Sequence, residues 1–157
     1  MKALEKAMAY LATRPRSRKK VEDYLKGKGY EEVDIKEAIS YLLERKYLND
    51  VEYARSYIRY GLSKGKSLFR IKYELGLEGV SEFDIEDGIY LFEENESMTI
   101  SQIEKENAEK EAMKIFKEGY KNLSYEERKK MQDKLARRLN SKGYSAGFIT
   151  SILELYR

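Results

Sequence analysis

Residues 48–80 read LNDVEYARSYIRYGLSKGKSLFRIKYELGLEGV and hold one complete pair of helix signatures. Asn49 and Asp50 give a helix start signal, and Glu52 stands at the capping-box spacing from Asn49. The apolar stripe Val51, Ala54, Tyr57 and Ile58 then lies on one helical face. Gly61 and Gly65 bracket its stop. A second stripe, Leu68, Ile71 and Leu75, is closed by Gly76 and Gly79. Between and beside the stripes gather Arg55, Arg59, Lys64, Lys66, Arg70 and Lys72. The reading is two helices joined by a basic, glycine-marked turn.

The same frame recurs on both sides. Leu25, Leu75 and Leu139 each lie four residues before a glycine, at Gly29, Gly79 and Gly143. Val21, Ile71 and Leu135 lie eight before, and Tyr30, Val80 and Tyr144 one after. Ile35, Ile85 and Ile149 follow six after, and Ile39, Ile89 and Leu153 ten after. A frame met three times, with a shared glycine, predicts an internal repeat.

Each repeat reads as three short helices. In the first, Leu4, Ala7 and Leu11 face inward, and the helix stops at Thr13-Arg14-Pro15 because proline disfavours helix in the residue before it. Ser17 caps the next helix, which buries Val21 and Leu25. Asp34 and Glu37 form a capping box for the third, whose buried face is Ile35, Ala38, Ile39, Leu42 and Leu43. In the second repeat the third helix starts near Asp84 and carries Gly88, a poor helix residue that either serves close packing against a neighbouring helix or is an unimportant lapse. Residues 93–107 are polar and read as a loop or linker. The third repeat opens at Ala108, with Ser124 and Glu127 as a further capping box. The expected organisation is all-α: repeats at 1–47, 48–95 and 108–157, a linker at 96–107, and an elongated, solenoid-like array of either hand.

Composition bounds the chemistry. The chain has 157 residues, no Cys and no His, so disulfides, thiol chemistry and imidazole acid–base work are excluded. Charged residues make up 38%, but 41% hydrophobic residues, 14 Tyr and 5 Phe argue for a folded core. The single Pro and the richness in Lys, Glu, Leu and Arg favour helix. No apolar run reaches membrane-spanning length and the N-terminus lacks a signal-peptide core, so the expected setting is soluble and cytoplasmic. The net charge of +3 is uneven: residues 1–47 carry +4, residues 48–97 carry −5 and residues 98–157 carry +4.

The run GLSKGKS at 61–67 has three residues between its glycines, one fewer than a phosphate-binding P-loop, and follows a helix pattern where a P-loop follows a strand. It reads as a basic turn. Paired carboxylates such as Glu31 and Glu32 are accounted for by caps and solvated loops. No catalytic residue, cofactor site or metal site is expected. The densest basic set, Arg14, Arg16, Arg18, Lys19 and Lys20, straddles a turn beside a helix N-terminus, where phosphates or acidic protein surface could bind. Arg137, Arg138 and Lys142 are a weaker echo. Tyr10, Tyr24, Tyr30, Tyr53, Tyr57 and Tyr73 read as half-buried packing.

These residues resemble the RecX family, bacterial regulators of the RecA recombinase. Arg14-Pro15-Arg16-Ser17 matches its R-x-R-S turn. Tyr47-Leu48-Asn49-Asp50 with Tyr53-Ala54 matches its aspartate signature, and Arg70-Ile71, Glu74-Leu75 and Gly79-Val80 match its R-I-x-x-E-L helix. The chain departs from the family at Lys20-Val21, usually Glu-Leu, at Ser67-Leu68, usually Gly-Pro, and at Glu78, usually Lys. The resemblance implies a non-enzymatic regulator, most often an inhibitor, that binds RecA with or without its DNA filament and docks in the filament's groove; the chain is expected to be a monomer. It further implies modulation of ATP hydrolysis, strand exchange and co-protease activity, with single- or double-stranded DNA as an added partner. The alternatives from the residues are a helix-turn-helix transcription factor and a helical scaffold that binds protein only.

Overall fold

The computed structural model describes residues 2–157; Met1, the first residue assigned to the opening repeat, lies outside the described residues. Those residues form nine α-helices and no strand. The helices are α1 (Lys2–Thr13), α2 (Arg18–Gly27), α3 (Glu32–Glu44), α4 (Asp50–Ser63), α5 (Leu68–Leu77), α6 (Glu82–Glu94), α7 (Ile100–Ile115), α8 (Tyr125–Ser141) and α9 (Ala146–Leu153).

Short polar side chains set most of the starts. Ser17 Oγ accepts from Lys20 N, Asn49 Oδ1 from Val51 N and Glu52 N, and Ser81 Oγ from Asp84 N. Ser124 and Ser145 do the same for α8 and α9. Each satisfies an amide that the first turn leaves without a helical partner. Asp34 is not a cap. The helix begins earlier, with Glu31 at the N-cap and no side-chain bond there. The Asp34 carboxylate falls inside the first turn, where it faces the positive end of the helix dipole.

The stretch expected to be a linker to residue 107 is mostly helix. Helix α6 runs to Glu94 and α7 starts at Ile100. Thr99 and Gln102 form a reciprocal capping box there, with bonds of 3.2 and 2.8 Å. The helix is polar because its buried side needs only small groups and a few aliphatics, among them Ile100, Ala108 and Ala112.

The three frame glycines make one turn three times. Gly29, Gly79 and Gly143 have φ of 85°, 85° and 95°. The next residue's N–H reaches back to the frame leucine: Tyr30 to Leu25, Val80 to Leu75 and Tyr144 to Leu139, at 3.3, 3.1 and 3.2 Å. This left-handed closing turn is the Schellman form of helix termination. Leu25, Leu75 and Leu139 are all fully buried, as are Val21, Ile71 and Leu135. Ile89 and Leu153, in the same frame, are only partly buried.

The chain forms two compact units. The first holds Met1–Ile58 and Lys72–Glu94, the second Arg59–Ile71 and Asn95–Arg157. In the first, α1, α2 and α3 pack on one another around Ala3, Ala7, Val21, Leu25, Ala38 and Leu42. Leu43, expected in this core, is 37% exposed. Of the two readings of Gly88, close packing holds: a Cβ there would stand 2.7 Å from the Ala54 Cβ and 3.2 Å from the Val51 carbonyl. In the second unit, α7, α8 and α9 enclose Ala108, Ala112, Leu135, Leu139, Ile149 and Ile152. Full burial of each leucine contributes about 1.5–3 kcal/mol.

Candidate nucleic-acid and protein interface

The basic turn between α1 and α2 is built on an aromatic stack. Tyr10 lies on Tyr24 with ring centroids 3.9 Å apart and planes 1° from parallel. The Arg16 guanidinium sits 4.1 Å over Tyr10, and the Lys28 ammonium 5.4 Å over Tyr24. A Tyr face attracts a cation through its quadrupole. Arg16 also donates to Thr13 Oγ1 at 3.0 Å, while its enclosed Nε has no acceptor. Arg16 is therefore partly a packing residue.

Its neighbours point outward. Arg18 pairs with Glu22 at 2.9 Å and Lys19 with Asp23 at 2.8 Å along α2. Lys20 lies 3.9 Å from Glu78. Arg14 is exposed and has no ion pair among the described residues. Exposed pairs of this kind are worth little, about 0.2–1 kcal/mol, so a phosphate or a partner's carboxylate competes for the same cations. Beside the turn, a groove of about 350 Å³ runs between α2 and α3, lined by Arg18, Lys26 and Lys36, by Glu22 and Glu32, and by Ile39.

A junction fixes this turn in place. Ser17 is fully buried, and its hydroxyl donates to the Glu78 carbonyl at the end of α5. Arg18 N donates to Asp50 Oδ1 of α4 at 2.9 Å. Burial raises the Asp50 carboxyl above its usual range, against the lowering effect of that amide. Gly79 meets Lys19 directly: a Cβ on the glycine would stand 2.5 Å from Lys19 Cγ.

The second unit repeats the device with other residues. Ser67 is buried, its N–H donates to the Lys142 carbonyl at 2.9 Å, and Gly143 lies against Arg70 and Ser67. Leu68 N donates to Glu104 Oε2 at 2.9 Å, and burial raises that carboxyl too. Here the cations Lys64, Arg70 and Lys142 gather around Gly65 and Gly143. Lys142 Nζ donates to the Lys64 carbonyl, and Lys64 lies over Tyr60.

The other expected cations are placed one by one. Arg55 pairs with Glu52 at 3.0 Å, Lys72 with Glu86 at 3.0 Å and Arg59 with Glu96 at 3.3 Å. Arg138 pairs with Glu111 at 3.0 Å. Although burial opposes it, the bonds from Arg138 and Lys114 hold Glu111 below the usual range. Lys66 is partly buried and engaged with other residues. Arg137 is exposed. Of the tyrosines, Tyr10, Tyr24, Tyr30, Tyr53 and Tyr57 are partly buried, but Tyr73 is 61% exposed, since it turns to the outer side of α5. Burial and the Glu74 carboxylate that accepts its hydroxyl push Tyr57 up to about 12.

Sequence reading missed Asp50 and Glu104 as acceptors for helix N-termini. A signal was present: each stands four residues before a buried alanine, Ala54 or Ala108. The pair Ser17 and Ser67, fifty residues apart in the frame, was a second one.

The described residues thus form an all-helical protein in which basic turns are seated on the ends of other helices. Residues 3–42 match the model of the RecX first three-helix domain, and residues 49–89 that of the second. The chain is 31% identical over 156 residues to the regulatory protein RecX of Clostridium botulinum, covering 98% of this chain and 68% of that one. It is 34% identical over 146 residues to that of Listeria welshimeri, covering 92% of this chain and 50% of that one. The chain thus spans about half to two thirds of the length of these relatives. The crystal structure of RecX from Lactobacillus salivarius superposes with a TM-score of 0.76 at 29% identity, covering 98% of this chain and 93% of that one. The chain belongs to the RecX family.

Proposed function

We propose that this chain is a non-enzymatic regulator of the RecA recombinase, an inhibitor, organised as three three-helix repeats. It binds RecA and the groove of its DNA filament as a cytoplasmic monomer. There it modulates ATP hydrolysis, strand exchange and co-protease activity in DNA repair. The observation that carries this reading is the Arg14–Lys20 turn, a dense set of cations on a turn whose central serine is buried in a junction. A fixed basic turn suits phosphate or acidic protein surface, because the binding groups lose little freedom on docking. Lys64, Arg70 and Lys142 are a second such set. Membership of the RecX family supports this choice of partner.

The test is RecA ATP hydrolysis on single-stranded DNA, titrated with this protein and with a double variant, Arg14→Glu/Arg18→Glu. Arg16 is left alone because it supports Tyr10. The wild type lowers the rate, and the variant requires a several-fold higher concentration. An unchanged rate at saturating wild type removes the inhibitor reading. A folded variant that inhibits equally removes the first turn from the interface. RecA binding indifferent to DNA favours the scaffold, and sequence-specific duplex binding without RecA favours the transcription factor.

A further inference from the structure

The second helix of each three-helix group takes part in one recurring contact. The N-terminus of α2 is seated on the Gly79 turn, and that of α5 on the Gly143 turn. The Gly29 turn has the same φ and the same closing bond, but a Cβ there would meet nothing within 4 Å among the described residues. Lys28, exposed at the position of Glu78 and Lys142, has a carbonyl that receives no hydrogen bond from a described residue. One receiving turn is therefore vacant.

One donating end is vacant as well. Helix α8 is the second helix of its group, and its N-cap Ser124 is exposed. Its hydroxyl accepts from Glu127 N at 3.1 Å, as Ser17 accepts from Lys20 N, but it donates to no described acceptor. Ser124 stands fifteen residues before Leu139, where Ser17 and Ser67 stand eight before their leucines. The seven extra residues extend α8 by roughly 10 Å beyond the position of the other two caps. Tyr125, next to the cap, is 71% exposed.

One charge pair is complementary across the two vacant ends, as at the α2 seat and unlike the α5 seat, where Arg70 and Lys142 take these positions. In the seated α2 contact, a cation three residues after the cap faces an acid before the glycine, Lys20 and Glu78. In the vacant pair the signs are exchanged on both sides: Glu127 follows Ser124 by three, and Lys28 precedes Gly29. Neither Glu127 nor Lys28 has an ion pair among the described residues, though Lys28 rests over Tyr24.

We infer that the Gly29 turn receives the tip of α8 from a second copy of this chain, with Ser124 donating to the Lys28 carbonyl and Glu127 facing Lys28. The contact joins unlike surfaces, so it propagates head to tail instead of closing a dimer. It is confined to a helix tip, which keeps it weak and leaves the protein monomeric when dilute. It does not depend on the RecA reading.

Sedimentation velocity of the full chain over a wide concentration range tests it. The weight-average sedimentation coefficient of the wild type rises with concentration, and the rise shrinks in high salt. Lys28→Glu or Glu127→Lys alone weakens self-association by about three- to ten-fold. The double variant Lys28→Glu/Glu127→Lys restores it, because each contact again joins opposite charges. Milder variants, Lys28→Gln and Glu127→Gln, give intermediate losses and replace any reversal that unfolds. A flat wild-type coefficient up to millimolar concentration overturns the proposal. So do single reversals that leave the rise unchanged, or a folded double variant that does not recover.

Discussion

The α1–α2 turn and the α4–α5 turn solve one problem in different ways. Both end a helix, pass a basic stretch and start the next helix at a buried serine. The first turn handles its own helix end: Thr13 Oγ1 donates to the Tyr10 carbonyl at 2.8 Å and Pro15 stops the helix. The second turn is tied by side chains from far along the chain. Asn107 Nδ2 donates to the Leu62 carbonyl, Lys142 Nζ to that of Lys64 and the Tyr144 hydroxyl to that of Gly65, at 2.8, 3.0 and 3.1 Å. Burial pushes the Tyr144 hydroxyl well above the usual tyrosine range. The difference shows which basic turn has spare cations. The first keeps Arg14 unpaired among the described residues, whereas the second spends Lys142 on a backbone carbonyl.

Four measurements bear on this difference between the two turns. The cores beneath the turns should be equivalent, so Leu25→Ala and Leu139→Ala should each cost about 2–5 kcal/mol in denaturant unfolding. A loss below about 0.5 kcal/mol at either would place that residue at the surface.

The glycines should separate strain from contact. Gly29→Ala meets open space and should cost only the left-handed penalty, about 1–2 kcal/mol. Gly143→Ala carries the same penalty and also strikes Arg70 Cβ at 2.6 Å, so it should cost more. Equal losses would mean that Arg70 yields freely.

Removing single ties should affect only the second turn. Tyr144→Phe leaves the Gly65 carbonyl without its partner and should cost about 0.5–1.5 kcal/mol. No change would show that water replaces the hydroxyl.

The smallest effect concerns pH. Burial raises the folded-state pKa of Asp50 above 3.8. Between the unfolded and folded values the folded protein holds more protons, so this contribution to stability falls as pH rises through that window. Asp50→Asn keeps an acceptor for Arg18 N and removes the charge. Its stability relative to the wild type should therefore be greater at neutral pH than near pH 3. Glu104→Gln should behave alike. A difference independent of pH would mean that the carboxyl is not desolvated.

Most of the helices, the repeat frame and the glycine turns are legible in the sequence. Apolar periodicity, caps and glycines act within a few residues of chain, where local geometry leaves few choices. Asp34 and the start of α7 escaped that reading because several polar residues could begin each helix, and packing of a few buried groups selected one. Which cations are engaged is set by long-range packing. Whether Arg138 meets Glu111, or Lys142 reaches the Lys64 carbonyl, depends on chain segments 27 and 78 residues apart. The same holds for Asp50 and Glu104. A carboxylate four residues before a buried alanine becomes a cap only when folding brings another helix's first amide against it.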